Sequence, residues 1–447
     1  MIDDQIRSTL LDLLNLTSVR KVKHFVVGGT LRDHLLNKKV SDIDLTGKNA
    51  AELGIQFAQS SNFSYVPLDK TPGRATTRII LPHNKHFDLT DIQGTTIEED
   101  LGQRDFTINA MGQELSDFLS NEKSIIDPHN GKEDLNKALI KATSPAVFEA
   151  DPLRMLRAFR FAATMNFSID ENTFNDISKN SKKISNVAGE RIWQELTAFL
   201  MTENTGDLVN QMKKSGLLNC LLPVSSFPDW VEFLSCYYRL EHILSKPGLY
   251  FNEQFFEMDS KEKALIKLSL FFTHADTELS IKEKRKKDFG TPKTFKTLKD
   301  LKASNNKIAF ICQAVQSSGF LSGSLPFNLS NSSLYDLCVM CGNGLVAGVL
   351  LQACTLPFSE NDECEEVKVF NLFSKLLKFY IEQYIPVLGE KALLNGNDII
   401  RKFNVLPSPV LGNVLNNIQR AQVLGEIKTS SEAEMLAEKI LKSQEEN

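Results

Sequence analysis

The sequence predicts an α+β protein: an N-terminal mixed α/β head with a small sheet over residues 1–145, followed by an all-helical remainder. Two patterns carry this expectation. Up to about residue 145, short runs rich in β-branched and aromatic residues alternate with helical stretches, as one sheet with helices on a face requires. From about 146 onward the β pattern nearly vanishes, and apolar residues recur at i, i+3 and i+4 spacing. The 447 residues exceed one ordinary domain, and chains of this length hold about two to four. Loop signals at 245–256, 287–293, 316–332 and 355–363 interrupt the helical part, which is expected to divide into a neck (146–215), a body (216–330) and a tail (331–447).

In chain order, VKHFVVGG (22–29) reads as a strand ending in Gly-Gly, and TLRDHLL as a helix. DIDLT (42–46) is a second strand and AAELGIQFAQSS (50–61) a helix; FSYVPLD (63–69), TTRIILP (76–82) and HFDLTDI (86–92) complete a sheet of four or five strands. IIDPHNGKEDL (125–135) places Pro and Gly in a polar run and reads as a hinge-like turn between head and neck. Amphipathic helices follow, from DPLRMLRAFRFAATM to SEAEMLAEKILKS.

Composition narrows the class. With 42% hydrophobic and 24% charged residues the chain is ordinary for a globular protein, and no run is expected to supply the ~20 apolar residues of a membrane span. The opening MIDDQIRSTLLDLLNL carries acids near its start, unlike a signal peptide, so a cytoplasmic protein that engages no membrane is expected. A net charge of −5 excludes a general polycation, so any contact with nucleic acid must use local clusters. The densest is KEKRKK (282–287), with Lys284, Arg285 and Lys286 at its centre, followed by Arg154/Arg157/Arg160. Cys338 and Cys341 form a lone CxxC with no second pair to complete a zinc set; buried thiols in a reducing compartment are the expectation.

Three features near the N-terminus carry chemistry. Gly28 and Gly29 close a strand and open a helix, so backbone N–H groups can approach a phosphate without a Cβ in the way. Arg32 lies one turn into that helix. Asp42 and Asp44, two apart on a strand, put their carboxylates on one face. Such a pair suits two Mg²⁺ ions about 4 Å apart, the arrangement that in-line nucleotidyl transfer uses. DxD alone is a weak signal; GGTLRD followed by DID on a strand is much stronger.

That combination resembles the head of the DNA polymerase β-like nucleotidyltransferases, and the rest of the chain is similar to the class II tRNA nucleotidyltransferases and bacterial poly(A) polymerases. The resemblance implies several roles. In EEDLGQRDFTINAMG (98–112), Arg104 would hold the triphosphate, Asp105 would accept from the ribose 2′-OH and Asn109 would support the pocket; Gln103 replaces an expected arginine. A plain alternative makes Asp105 only a helix cap. Asp88, with Asp91 behind it, is the candidate third metal carboxylate. Asp151 and Arg154 correspond to a base-reading Glu-Asp-x-x-Arg motif, in which Asp accepts from the amino group of cytosine or adenine and Arg donates to the ring nitrogen. Ala150 stands where that motif has Glu, which leaves the orientation of Arg154 either looser or supplied by Glu149. Arg157 and Arg160 continue the ridge as candidate RNA contacts. Glu190, Arg191 and Glu195 read as structural, paired at i, i+4 along their own helix.

The implied activity is template-independent extension of RNA 3′ ends, adding all or part of CCA to tRNA from CTP and ATP. A poly(A) polymerase, or a catalytically silent RNA-binding relative, remains the alternative. The short segment between DID and RDFTINA lacks a long charged loop, which points toward a partial activity. His274 and Asp276, split by Ala275, do not form the adjacent pair of a metal-dependent phosphohydrolase.

Overall fold

The structure is a computed structural model that describes residues 2–19, 22–122, 124–222, 229–251, 257–273, 292–322, 329–356, 365–390 and 392–445. The chain forms two compact units. One comprises Met1–Phe199 with Asp207–Leu221, the other Leu200–Gly206 with Leu222–Asn447.

The first unit opens with α1 (Asp4–Val19), β1 (His24–Val27), α2 (Gly28–Leu35), β2 (Asp42–Gly47) and α3 (Ala50–Ser60). Then come β3 (Ser64–Asp69), β4 (Thr76–Leu81), β5 (Lys85–Asp91), α4 (Ile97–Gly102), a 3₁₀ turn at Thr107–Asn109, and β6 (Gly112–Glu114). These strands form one sheet in the order β3-β4-β5-β2-β1-β6, with β2 and β5 parallel and every other pair antiparallel. The sheet therefore has six strands, where sequence reasoning expects four or five; β6 is only three residues long and gives no periodic signal.

Register sorts the two faces of the sheet. Ile43 pairs with Phe87, Leu45 with Leu89, and Phe87 in turn with Ile79. All five are buried, and α3 packs over this face. Gly54 of α3 meets Leu89 and Thr77 at ordinary van der Waals distance, so the helix lies close against the strands. Because side chains alternate, the other face carries a polar row: Asp44 beside Asp88, and Asp88 beside Arg78.

Short helices α5 (Leu115–Ser120), α6 (Gly131–Asn136) and α7 (Val147–Ala150) follow, with two-residue strands β7 (Leu139–Ile140) and β8 (Ser168–Ile169) pairing in parallel. The segment expected to be a hinge is clamped instead. Asp127 accepts from the backbone of Gly131 and Lys132, and buried Asp134 accepts a 2.7 Å bond from the Thr107 hydroxyl. The long helices are α8 (Leu153–Met165), α9 (Glu171–Asn180) and α10 (Gly189–Leu200), and α11 (Gly206–Lys214) and α12 (Leu217–Leu221) follow.

The second unit is helical throughout its described residues: α13 (Trp230–Ser245), α14 (Ser260–Leu270), α15 (Pro292–Asp300), α16 (Asn305–Leu321), α17 (Asn331–Cys341) and α18 (Leu345–Ala353). It ends with α19 (Glu365–Phe379), α20 (Ile385–Gly389), α21 (Gly396–Phe403), α22 (Pro409–Val423) and α23 (Ser430–Glu445). Asn331–Ala353 is, contrary to the sequence expectation, long and apolar enough to cross a membrane; 67% of its apolar window is buried inside the protein, as in a core helix. Cys338 and Cys341 are buried there, and burial pushes their thiols up to about 12 and about 11. Lys267 and Glu241 form a buried ion pair at 2.6 Å, and Glu241 also accepts from Thr205 and Gly206.

Candidate active site

Gly28 has a φ of +64°, a conformation that favours glycine. A Cβ there would lie 3.1 Å from an Arg104 guanidinium nitrogen and 3.3 Å from an Asp44 carboxylate oxygen. The missing side chain thus lets a strand end, an arginine and a carboxylate converge. Thr30, which sequence reasoning passed over, locks them together: its buried hydroxyl donates to the Asp42 carbonyl and accepts from the Asp44 backbone N–H at 2.7 Å.

Asp42 and Asp44 lie on the polar face as their spacing predicts. Asp42 is half exposed and 2.9 Å from His86 Nδ1. The Asp44 carboxyl is pushed up to about 6, first by burial and then by the neighbouring charge of Asp88. Asp88 stands abreast of Asp44 but receives a bidentate pair of bonds from Arg78, at 2.8 and 2.7 Å. Asp91 accepts from the backbone N–H of Ala51 at the start of α3. Among the described residues no group of three or more His, Cys, Asp or Glu gathers as a metal site. Two hard oxygen donors still fit a magnesium-type ion, which needs one or two carboxylates and takes its remaining ligands from substrate phosphates and water.

Two oriented guanidiniums, those of Arg32 and Arg104, stand beside the Gly-Gly helix start. Arg104 donates twice to buried Asp100, whose other oxygen accepts from Gln93. Arg32 chelates Asp33 and donates to Asn109 at 2.7 Å. Asn109 in turn donates to Asp105. Asp105 is buried; burial alone would raise its carboxyl, but Arg157 and Asn109 hold it below the usual carboxylate range. It does not cap the following 3₁₀ turn, which has no side-chain cap; its only backbone donor is the adjacent Phe106 N–H.

On the neck side, Asp151 accepts from Arg191 at 2.7 Å and from the Leu153 backbone. Arg154 donates to the Gln103 carbonyl. Glu149 does not orient Arg154: it is exposed and paired with Lys183. Arg191 and Glu195 do not pair along their own helix either. Arg191 reaches Asp151, while Glu195 holds both Arg157 and Arg160. Sequence spacing gives no sign of these cross-helix partners, 35 to 40 residues away. Lys284, Arg285, Lys286, His274 and Asp276 lie outside the described residues.

A cleft of about 530 Å³ is lined by Gly28, Gly29 and Asp44 together with Asp151, Arg154 and Arg191, while Asp42 and Asp88 are not among its lining residues. An acidic strand pair, a Gly-Gly helix start, fixed guanidiniums and a separate Asp–Arg set are the parts that a nucleotidyl-transfer site requires.

Comparisons with known proteins agree. The profile of the poly A polymerase head domain matches residues 24–141, that of an RNA- and SrmB-binding site of polymerase A matches 166–226, and that of tRNA nucleotidyltransferase domain 2 matches 290–438. A CC-adding tRNA nucleotidyltransferase of Geobacter sulfurreducens is 28% identical, covering 94% of this chain and 92% of that protein. Another from Synechocystis sp. is 25% identical over 94% of each. The fold matches the Thermotoga maritima CCA-adding enzyme complexed with tRNA at a TM-score of 0.72, with 24% identity over 99% of this chain and 96% of that one. A CCA-adding enzyme in complex with CTP also scores 0.72, at 22% identity over 99% and 96%. The chain belongs to the family of class II tRNA nucleotidyltransferases and bacterial poly(A) polymerases, an enzyme family that uses divalent metal.

Proposed function

We propose that this chain extends the 3′ end of tRNA with all or part of CCA, taking CTP and ATP and releasing pyrophosphate. The observation that carries the reading is the single cleft in which Asp44, Arg104, Asp105, Asp151 and Arg154 converge. Asp42 and Asp44 would hold two Mg²⁺ ions. When bound, these supply activation of the attacking hydroxyl and charge neutralisation at the leaving pyrophosphate. Gly28, Gly29, Arg32 and Arg104 bind and orient the triphosphate. Asp105 and Asn109 meet the ribose. Asp151 and Arg154 face the base, accepting from its exocyclic amino group and donating to its ring nitrogen; guanine and uracil present the reverse pattern and leave charged groups unpaired. The tRNA 3′ oxygen then forms a bond to the α-phosphorus as the bond to the bridging oxygen of pyrophosphate breaks. We place this work in the cytoplasm, in keeping with the buried thiols of Cys338, Cys341 and Cys354.

The turn joining β3 to β4 spans only residues 70–75, and two of the relatives carry a CC-adding name. Both favour a partial product. The test offers transcripts ending before CCA, transcripts ending after CC, and unrelated RNA, each with CTP, ATP or both. Addition of two cytidines and no adenosine would establish the partial activity. Extension of unrelated RNA as readily as tRNA would overturn the tRNA reading and favour a poly(A) polymerase. Replacing Asp42 and Asp44 with Ala should abolish incorporation and leave RNA binding intact; retained incorporation would sink the mechanism.

A further inference from the structure

Asp105 has no acceptor capacity to spare. An ionised carboxylate offers about four lone-pair sites. Here one oxygen accepts from the Phe106 and Asn109 N–H groups, and the other takes two bonds from Arg157, at 3.0 and 2.8 Å. Its orientation is therefore dictated by Arg157, a residue of the neck. Arg157 is fixed in turn: its remaining terminal nitrogen donates to Glu195 at 3.2 Å, and Glu195 also grips Arg160. Phe161 lies beneath, with the guanidiniums of Arg32, Arg157 and Arg160 at 5.5, 5.2 and 4.2 Å from its ring centre. The ring gives three positive groups an apolar floor, and Glu195 supplies the negative charge that keeps two of them in place.

We propose that Glu195 is a positioning residue for sugar selection, acting through Arg157 to set the Asp105 carboxylate from α10. This rests on the reading of Asp105 as the group that meets the ribose. Arg157 is then assigned to the nucleotide pocket rather than to RNA. For the 2′-hydroxyl to be accepted, one of these four bonds must be given up, and Arg157 holds two of them. Glu195 offers Arg157 an alternative anchor, so the guanidinium can yield one bond without leaving.

The test compares CTP and dCTP incorporation by the full-length chain into a transcript lacking CCA. Glu195→Ala should reduce the CTP-to-dCTP ratio of kcat/KM about tenfold, the scale of one charge-assisted hydrogen bond. Glu195→Gln, nearly isosteric, retains one acceptor oxygen and should fall between; it keeps the test valid should the Ala variant fail to fold. Arg157→Lys, which keeps charge but loses the two-pronged contact, should lower the ratio as well. An equal loss for both nucleotides in all three variants would overturn the proposal and leave Glu195 a merely structural role. Asp105→Asn separates the two ideas. If it leaves the ratio unchanged, the ribose reading itself fails. If it lowers the ratio while the Glu195 variants do not, only the positioning role fails.

Discussion

Asp151 and Arg191 are 40 residues apart and meet at 2.7 Å, and among the described residues no other charged side chain bonds to either carboxylate oxygen. Since Ala150 offers no carboxylate and Glu149 is engaged elsewhere, Arg191 and the Leu153 N–H hold the Asp151 carboxylate, the side chain that reads the base in the proposed function. Arg191→Ala should therefore raise UTP and GTP misincorporation about tenfold relative to CTP, measured by single-nucleotide extension. Unchanged base selectivity would remove Arg191 from the reading set. Asp105 adds a pH dependence. Its folded carboxyl is held below the ordinary value, so its contribution is complete above the unfolded value of about 3.9 and lost as pH falls through the folded one. Urea unfolding of wild type should weaken more steeply below pH 4 than that of Asp105→Asn; identical slopes would refute the assignment.

Among the elements, α6 shows how much a turn can conceal. A Cβ on Gly131 would stand 2.1 Å from the Thr107 carbonyl oxygen and 3.0 Å from the Met111 side chain. Gly131→Ala should cost about 1–3 kcal/mol, the range for forced overpacking, read as a lower urea midpoint. A neutral substitution would mean the turn is free to move. The segment's polarity, Pro and Gly make a turn legible in the sequence, but not its docking on the 3₁₀ turn that carries Asn109. The same limit applies across the site. Asp42, Asp44, Gly28 and Arg104 are legible because their signal is local: two residues on a strand, a Gly pair, a compact motif. Thr30, His86, Arg191 and Glu195 act through partners fixed only when strands and helices pack, and single-sequence spacing holds no record of that.

For the whole molecule, division into two compact units predicts more than one unfolding transition. The buried Lys267–Glu241 pair belongs to the second unit. Lys267→Met strands a buried carboxylate and should destabilise that unit by about 3–5 kcal/mol, whereas pairing it with Glu241→Leu should recover much of the loss. Calorimetry should show one transition moving and the other staying. A uniform shift of both would contradict independent units.

The chain does not finish the first unit before starting the second. Residues Leu200–Gly206 belong to the second unit, yet Asp207–Leu221 return to the first. On the ribosome, the catalytic unit therefore cannot close when its cleft residues, the last of which is Arg191, have emerged. It must wait for Asp207–Leu221, while the seven residues Leu200–Gly206 wait for partners not yet made. A nascent chain arrested at about residue 200 would carry every cleft residue and still lack the helices that complete their support.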